Sequence, residues 1–120
     1  MLNLNVATLS QVVDKAMSDA SAHPRWLTAI NRACVEVLSN PWIERHADHP
    51  GLIIGSTSGN VYSANGVCQC QAFEHGQPCW HRAAARLVRL HDEALAAQTS
   101  RAAKQAAAAE ATALLNECFA

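Results

Sequence analysis

The stretch "GVCQCQAFEHGQPCWHRAAARL", residues 66–87, holds three of the chain's five cysteines, and a histidine follows the third at His81. The spacing is Cys-x-Cys, eight residues, then Cys-x-His. On a strand, residues two apart point to the same face, so Cys68 and Cys70 can aim both sulfurs at one point. The Asn65-Gly66 pair is a strong hairpin signal and sets that short strand, 67–70, directly after a tight turn. Gly76 and Pro78 let the chain turn back, so Cys79 and His81 open a helix. Two soft donors from a hairpin and two from a helix start suit a tetrahedral zinc ion. Such a site does not exist in the unfolded chain. Its binding free energy, about 10 kcal/mol for small structural sites, is therefore folding free energy.

Outward from this cluster the pattern changes on both sides. Upstream, "WIERH" (42–46), "LIIGS" (52–56) and "VYSA" (61–64) read as short strands separated by turn residues. Before them, Leu9, Val12, Val13, Ala16, Met17 and Ala20 recur at helical spacing, with Thr8 and Gln11 as a capping box. A second helix begins at Pro24, a favoured first-turn residue, and Asn40-Pro41 stops it. Its apolar stripe is Trp26, Leu27, Ile30, Ala33, Cys34, Val37 and Leu38. Downstream, residues 82–118 contain neither glycine nor proline and are rich in alanine, the best helix former. A long helix is predicted there, with a break near Gln98-Thr99-Ser100. The fold class is α+β: two N-terminal helices, a small antiparallel meander, a long C-terminal helix and one structural zinc site. The 120 residues form one small domain, divided into a helical part (1–41), a zinc-binding ββα module (42–90) and an alanine-rich helix (91–120).

Composition narrows the function classes. Half the residues are hydrophobic but only 5% are aromatic, so the core is small and gains from a staple. The first 24 residues carry Asp14, Lys15 and Asp19 where a leader would be apolar, and no run has membrane-spanning length. The chain reads as cytoplasmic, where thiols stay reduced and a cysteine cluster points to metal before disulfides. There is no phosphate-binding glycine loop, no nucleophile–base pair and no open metal position, so the chain reads as non-enzymatic.

The pattern around the cluster resembles the SWIM-type zinc finger, whose signature is Cys-x-Cys, a variable gap, then Cys-x-His. A strand pair precedes the first cysteine, Phe73 follows the second, a proline precedes the third, and alanines 83–85 open the helix. The resemblance covers roughly residues 52–90. It implies that Cys68, Cys70, Cys79 and His81 ligate one zinc ion. It also implies DNA binding or protein–protein contact, in settings such as repair, recombination or transposition. The larger members of the family carry the finger as an accessory to an enzyme; this chain has no room for one and is expected to act alone as an adaptor or binding module, or with a separate partner.

Other titratable residues read more simply. His75, inside the loop, competes with His81 as fourth ligand, and the Cys-x-His pattern favours His81. His46, Asp48 and His49 read as turn chemistry. Cys34 reads as core and Cys118 as a spare thiol. Arg82, Arg86 and Arg89 recur at i, i+4 and i+7 on one helix face. Residues 79–104 carry five basic and two acidic side chains, a net of +3, while the whole chain is −1. These three arginines either meet successive phosphates of DNA, with Arg45 as a further candidate, or form a solvated face with pairs such as Arg89–Glu93. The second function class is a protein-interaction adaptor with a purely structural zinc, its helices docking a protein partner or a second copy of the chain as a homodimer.

Overall fold

The computed structural model describes residues 2–48, 50–56, 59–64, 68, 70 and 74–119, the last by its backbone alone. Three helices and a three-stranded sheet make up the described part: α1 (Val6–Asp19), α2 (Pro24–Ser39), β1 (Ile43–Arg45), β2 (Leu52–Gly55), β3 (Val61–Ala64) and α3 (Trp80–Phe119). This is the α+β arrangement expected. The 67–70 strand lies partly outside the described residues, as do the Asn65-Gly66 turn, Phe73 and His49. Cys68 and Cys70 are described and lie in irregular backbone, not in a strand.

Helix α1 is capped by Asn5, whose side-chain oxygen accepts from the Thr8 amide at 3.0 Å. The capping box at Thr8 is thus displaced by three residues, because the asparagine supplies the acceptor one turn earlier. Pro24 occupies the first turn of α2. Helix α3 runs unbroken through Gln98-Thr99-Ser100, where the Thr99 hydroxyl donates to the Leu95 carbonyl at 3.0 Å and so satisfies itself within the helix. Its 40 residues account for much of the 69 Å length of the molecule.

The sheet is antiparallel in the order β1-β2-β3, with Ile43 opposite Ile54 and Leu52 opposite Ala64. Alternation puts Leu52 and Ile54 on the buried face, which joins Ile43 and Ala64 against the helices. The other half of the core is the α1–α2–α3 junction: Leu9, Ala29, Ile30, Ala33, Val37, Ala83, Ala84, Leu87 and Val88 are all buried. The alanines at 83–85 present little bulk, so α1 and α2 approach α3 closely. Cys34 is half-buried, on the margin of the stripe expected to contain it.

A polar strut ties the two ends of the core together. His91, fully buried, accepts from the Asn5 amide at Nε2 (2.9 Å), and its Nδ1 lies 2.9 Å from Asp92 Oδ1. Asp92 in turn takes two hydrogen bonds from Arg45, at 3.0 and 2.8 Å. Arg45 also donates to the Asn3 carbonyl. Arg45, considered above for phosphate contact, is occupied as the clamp between β1, the N-terminal segment and α3.

Beyond this strut α3 leaves the body. Every described side chain from Thr99 to Cys118 is exposed, including Leu114 and Leu115. No helix is long and apolar enough to cross a membrane among the described residues.

Candidate metal centre and basic cleft

Cys68 and Cys70 follow β3, and Cys79 and His81 sit at the start of α3. The junction of strand and helix brings them together: one donor atom from each of the four lies within 4.8 Å of the others. All four side chains are buried. Gly76, with φ of 68°, makes the turn that returns the loop to the helix start in a conformation that favours glycine. His75 is exposed and stays outside the cluster, as does Glu74.

Cys79 occupies the N-cap position of α3. Its carbonyl accepts from the Ala83 amide at 3.3 Å, and its Sγ accepts from the Arg82 amide at 3.4 Å. A sulfur therefore takes the role that a serine or aspartate oxygen plays at most helix starts, where the helix dipole favours negative charge. The His81 ring is held between two aromatics, Tyr62 of β3 at 4.6 Å and Trp80 at 4.2 Å between centroids. Its buried Nδ1 has no hydrogen-bond partner among the described residues.

Without a metal this arrangement is electrostatically costly. Burial pushes the Cys68 thiol up to about 12, and the neighbouring sulfurs of Cys70 and Cys79 add to the shift. Burial also raises Cys79, against the Arg82 amide, which favours the thiolate. His81 is shifted down, first by burial and then by the Arg32 charge, so its ring is neutral. Three buried sulfurs, a neutral imidazole and an orphaned ring nitrogen are the donor set that one zinc ion satisfies.

Residues 62–88 match the family model of the SWIM zinc finger. The match begins in β3, ends in the third turn of α3 and encloses the whole cluster. No curated protein and no solved structure matches the chain. The SWIM zinc finger and its Cys₃His cluster support a single zinc ion, in a family of binding modules not typically catalytic.

The finger is flanked by arginines. On α3, Arg82, Arg86 and Arg89 all line one cleft of about 470 Å³ between α1, α2 and the β1–β2 turn. Arg82 is half-buried, its guanidinium 5.6 Å from the centre of the Trp26 ring. Arg86 is exposed at the rim. Arg89 lies 3.9 Å from Glu93, a pair exposed on both sides and so worth little. Sequence reasoning missed the residues that α2 contributes. Trp26 carries Arg82, and Arg32 lies over Trp80 at 5.1 Å, beside the metal cluster. Both sit more than 45 positions from their partners, so no local pattern in the sequence pairs them.

Proposed function

We propose that Cys68, Cys70, Cys79 and His81 ligate one structural zinc, and that the module they hold is a non-enzymatic DNA-binding unit, largely indifferent to sequence. Four protein donors close a tetrahedron and leave no position for substrate. The observation that carries DNA binding is the basic cleft: three arginines on one helix face, with Asp19 the one acidic residue among the described residues that line it. Arg86 and Arg89 meet phosphates directly, with Arg82 as the inner contact. The metal cluster fixes the first turn of α3 and thereby the direction in which the arginines point. The match to a binding-module family supports the same reading, in a cytoplasmic protein serving repair, recombination or transposition. The chain works as one unit, with residues 42–90 as finger and 1–41 as the wall of the cleft.

The test is a titration of the zinc-loaded protein against labelled DNA at several salt concentrations. Three phosphate contacts give a log–log slope of about −2 to −3. Replacing Arg82, Arg86 and Arg89 together by glutamine abolishes binding and leaves zinc content unchanged; unaltered affinity refutes the reading. One observation favours a second reading, that of a protein-interaction adaptor. The outer part of α3 exposes Leu114 and Leu115 at 57% and 58% on a helix with nothing packed against it among the described residues. A protein partner or a second copy of the chain would cover it. Recovery of one stoichiometric partner with no DNA affinity selects that reading.

A further inference from the structure

The shape of the basic cleft bears on which form of DNA it takes. We propose that it seats an unpaired base of single-stranded DNA, so that the module prefers single strands to duplex. This rests on the DNA-binding reading above and adds the substrate form.

Three features of the cleft point this way. The arginines do not stand on a convex ridge, where a duplex backbone would ride. They edge a concavity of about 470 Å³, within the range of sites that enclose a small molecule. The floor is apolar and partly aromatic, made by Trp26, Ile30 and Leu87. Phosphate contact needs no such floor; a base has a flat π-face that does. The third feature is the placement of Arg82. Its guanidinium carbon lies over the Trp26 indole, 5.6 Å from the ring centre, so a cation–π pair is part of the cleft lining. A base entering the cleft finds the indole and the guanidinium as surfaces on which to stack. Arg86 and Arg89, at the outer edge, are then within reach of the phosphates on either side of the seated nucleotide.

Duplex DNA cannot use this arrangement without extruding a base. Unstacking and unpairing cost a few kcal/mol, whereas a single strand presents its bases already free. The duplex is left with the outer arginines alone.

The experiment compares a labelled oligothymidine of about 20 nucleotides with a duplex of the same length, using the full zinc-loaded chain; this exceeds the roughly 4–16 nucleotides that single-strand sites cover. The single strand binds tighter by about tenfold or more, the equivalent of one base stack. Trp26→Leu keeps the apolar floor and removes the stacking surface. It lowers single-strand affinity by about 5- to 150-fold and duplex affinity by less, so the preference for single strands shrinks. Trp26→Phe keeps a ring and restores most of the difference. Zinc content and circular dichroism report whether each variant is folded. Should Trp26→Leu fail to fold, the strand comparison on the unaltered chain still decides. Equal or tighter duplex binding overturns the proposal and leaves the DNA-binding reading standing, as does a folded Trp26→Leu variant with unchanged single-strand affinity. Binding of neither form overturns the DNA-binding reading itself.

Discussion

Zinc binding by this chain should release close to three protons per ion at neutral pH, and its affinity should fall about a thousandfold for each unit the pH drops. The number follows from the cluster. Burial holds Cys68 up at about 12 and raises Cys79, both beside Cys70 in one buried cluster. A thiol of ordinary or raised pKa is protonated at pH 7, so each cysteine must lose its proton to ligate as thiolate. His81 contributes no proton, because burial and the Arg32 charge already hold its ring neutral. Three protons give about three log units of affinity per pH unit, or about 4 kcal/mol. The sign is fixed by linkage: the metal-free state binds more protons, so the zinc-loaded fold loses stability as pH falls and gains it as pH rises. Competition against a chromophoric chelator between about pH 6.5 and 8 measures the slope, and calorimetry in buffers of different ionisation enthalpy counts the protons independently. Cys70→Ala should reduce the slope to about two, while His81→Ala should weaken binding with the slope still near three. A slope near one in the unaltered protein would mean that the three cysteines do not ligate together, and would refute the zinc site as drawn.

Other consequences concern the frame. A Cβ added at Gly55 would lie 2.9 Å from the Trp42 Cβ, so Gly55→Ala should cost about 1–3 kcal/mol in urea unfolding of the zinc-loaded protein. His91→Phe fills the same space but leaves the Asn5 amide without its acceptor, at about 1–3 kcal/mol in the same assay. Asp92 is held below the usual carboxylate range, chiefly by its hydrogen bond from Arg45. Its contribution is therefore present above the ordinary carboxylate pKa and fades as pH falls through the lowered value. Asp92→Asn should remove that acid-side loss, seen as a flatter stability–pH profile below about pH 4.5, with an effect under about 1 kcal/mol because the pair is partly exposed. Ending the chain after Ser100 should lower the helical circular dichroism signal and leave the thermal midpoint within about 2 °C, since residues 101–118 are all exposed.

Much of this protein is local physics and could be read from the chain. Thiol and imidazole donors at Cys-x-Cys and Cys-x-His spacing point to zinc whatever surrounds them, because ligand softness and reach belong to the residues themselves. The helices at Pro24 and beyond Cys79 follow from a first-turn proline and from a glycine-free, alanine-rich run. The strands at 43–45, 52–55 and 61–64 follow from short apolar segments between turns. Even the arginine face is a matter of helical period.

Choices between equivalent local options were settled elsewhere. Asn5 rather than Thr8 caps α1, because Asn5 is also fixed through its amide to His91, 86 residues away. The helix does not break at Gln98-Thr99-Ser100, because Thr99 satisfies its hydroxyl inside the helix. Arg45 faces Asp92 and the N-terminal segment, because the fold brings the end of β1 within side-chain reach of both. The arginine face became one wall of a cleft only when α2 packed across α3 and set Trp26 beneath Arg82. The sequence by itself determined which residues could bind a metal and which segments would be helix or strand, since those depend on neighbours within one turn. Which surfaces face each other, and so whether three arginines make a ridge or a cleft, was decided by the tertiary structure, through contacts between residues far apart in the chain.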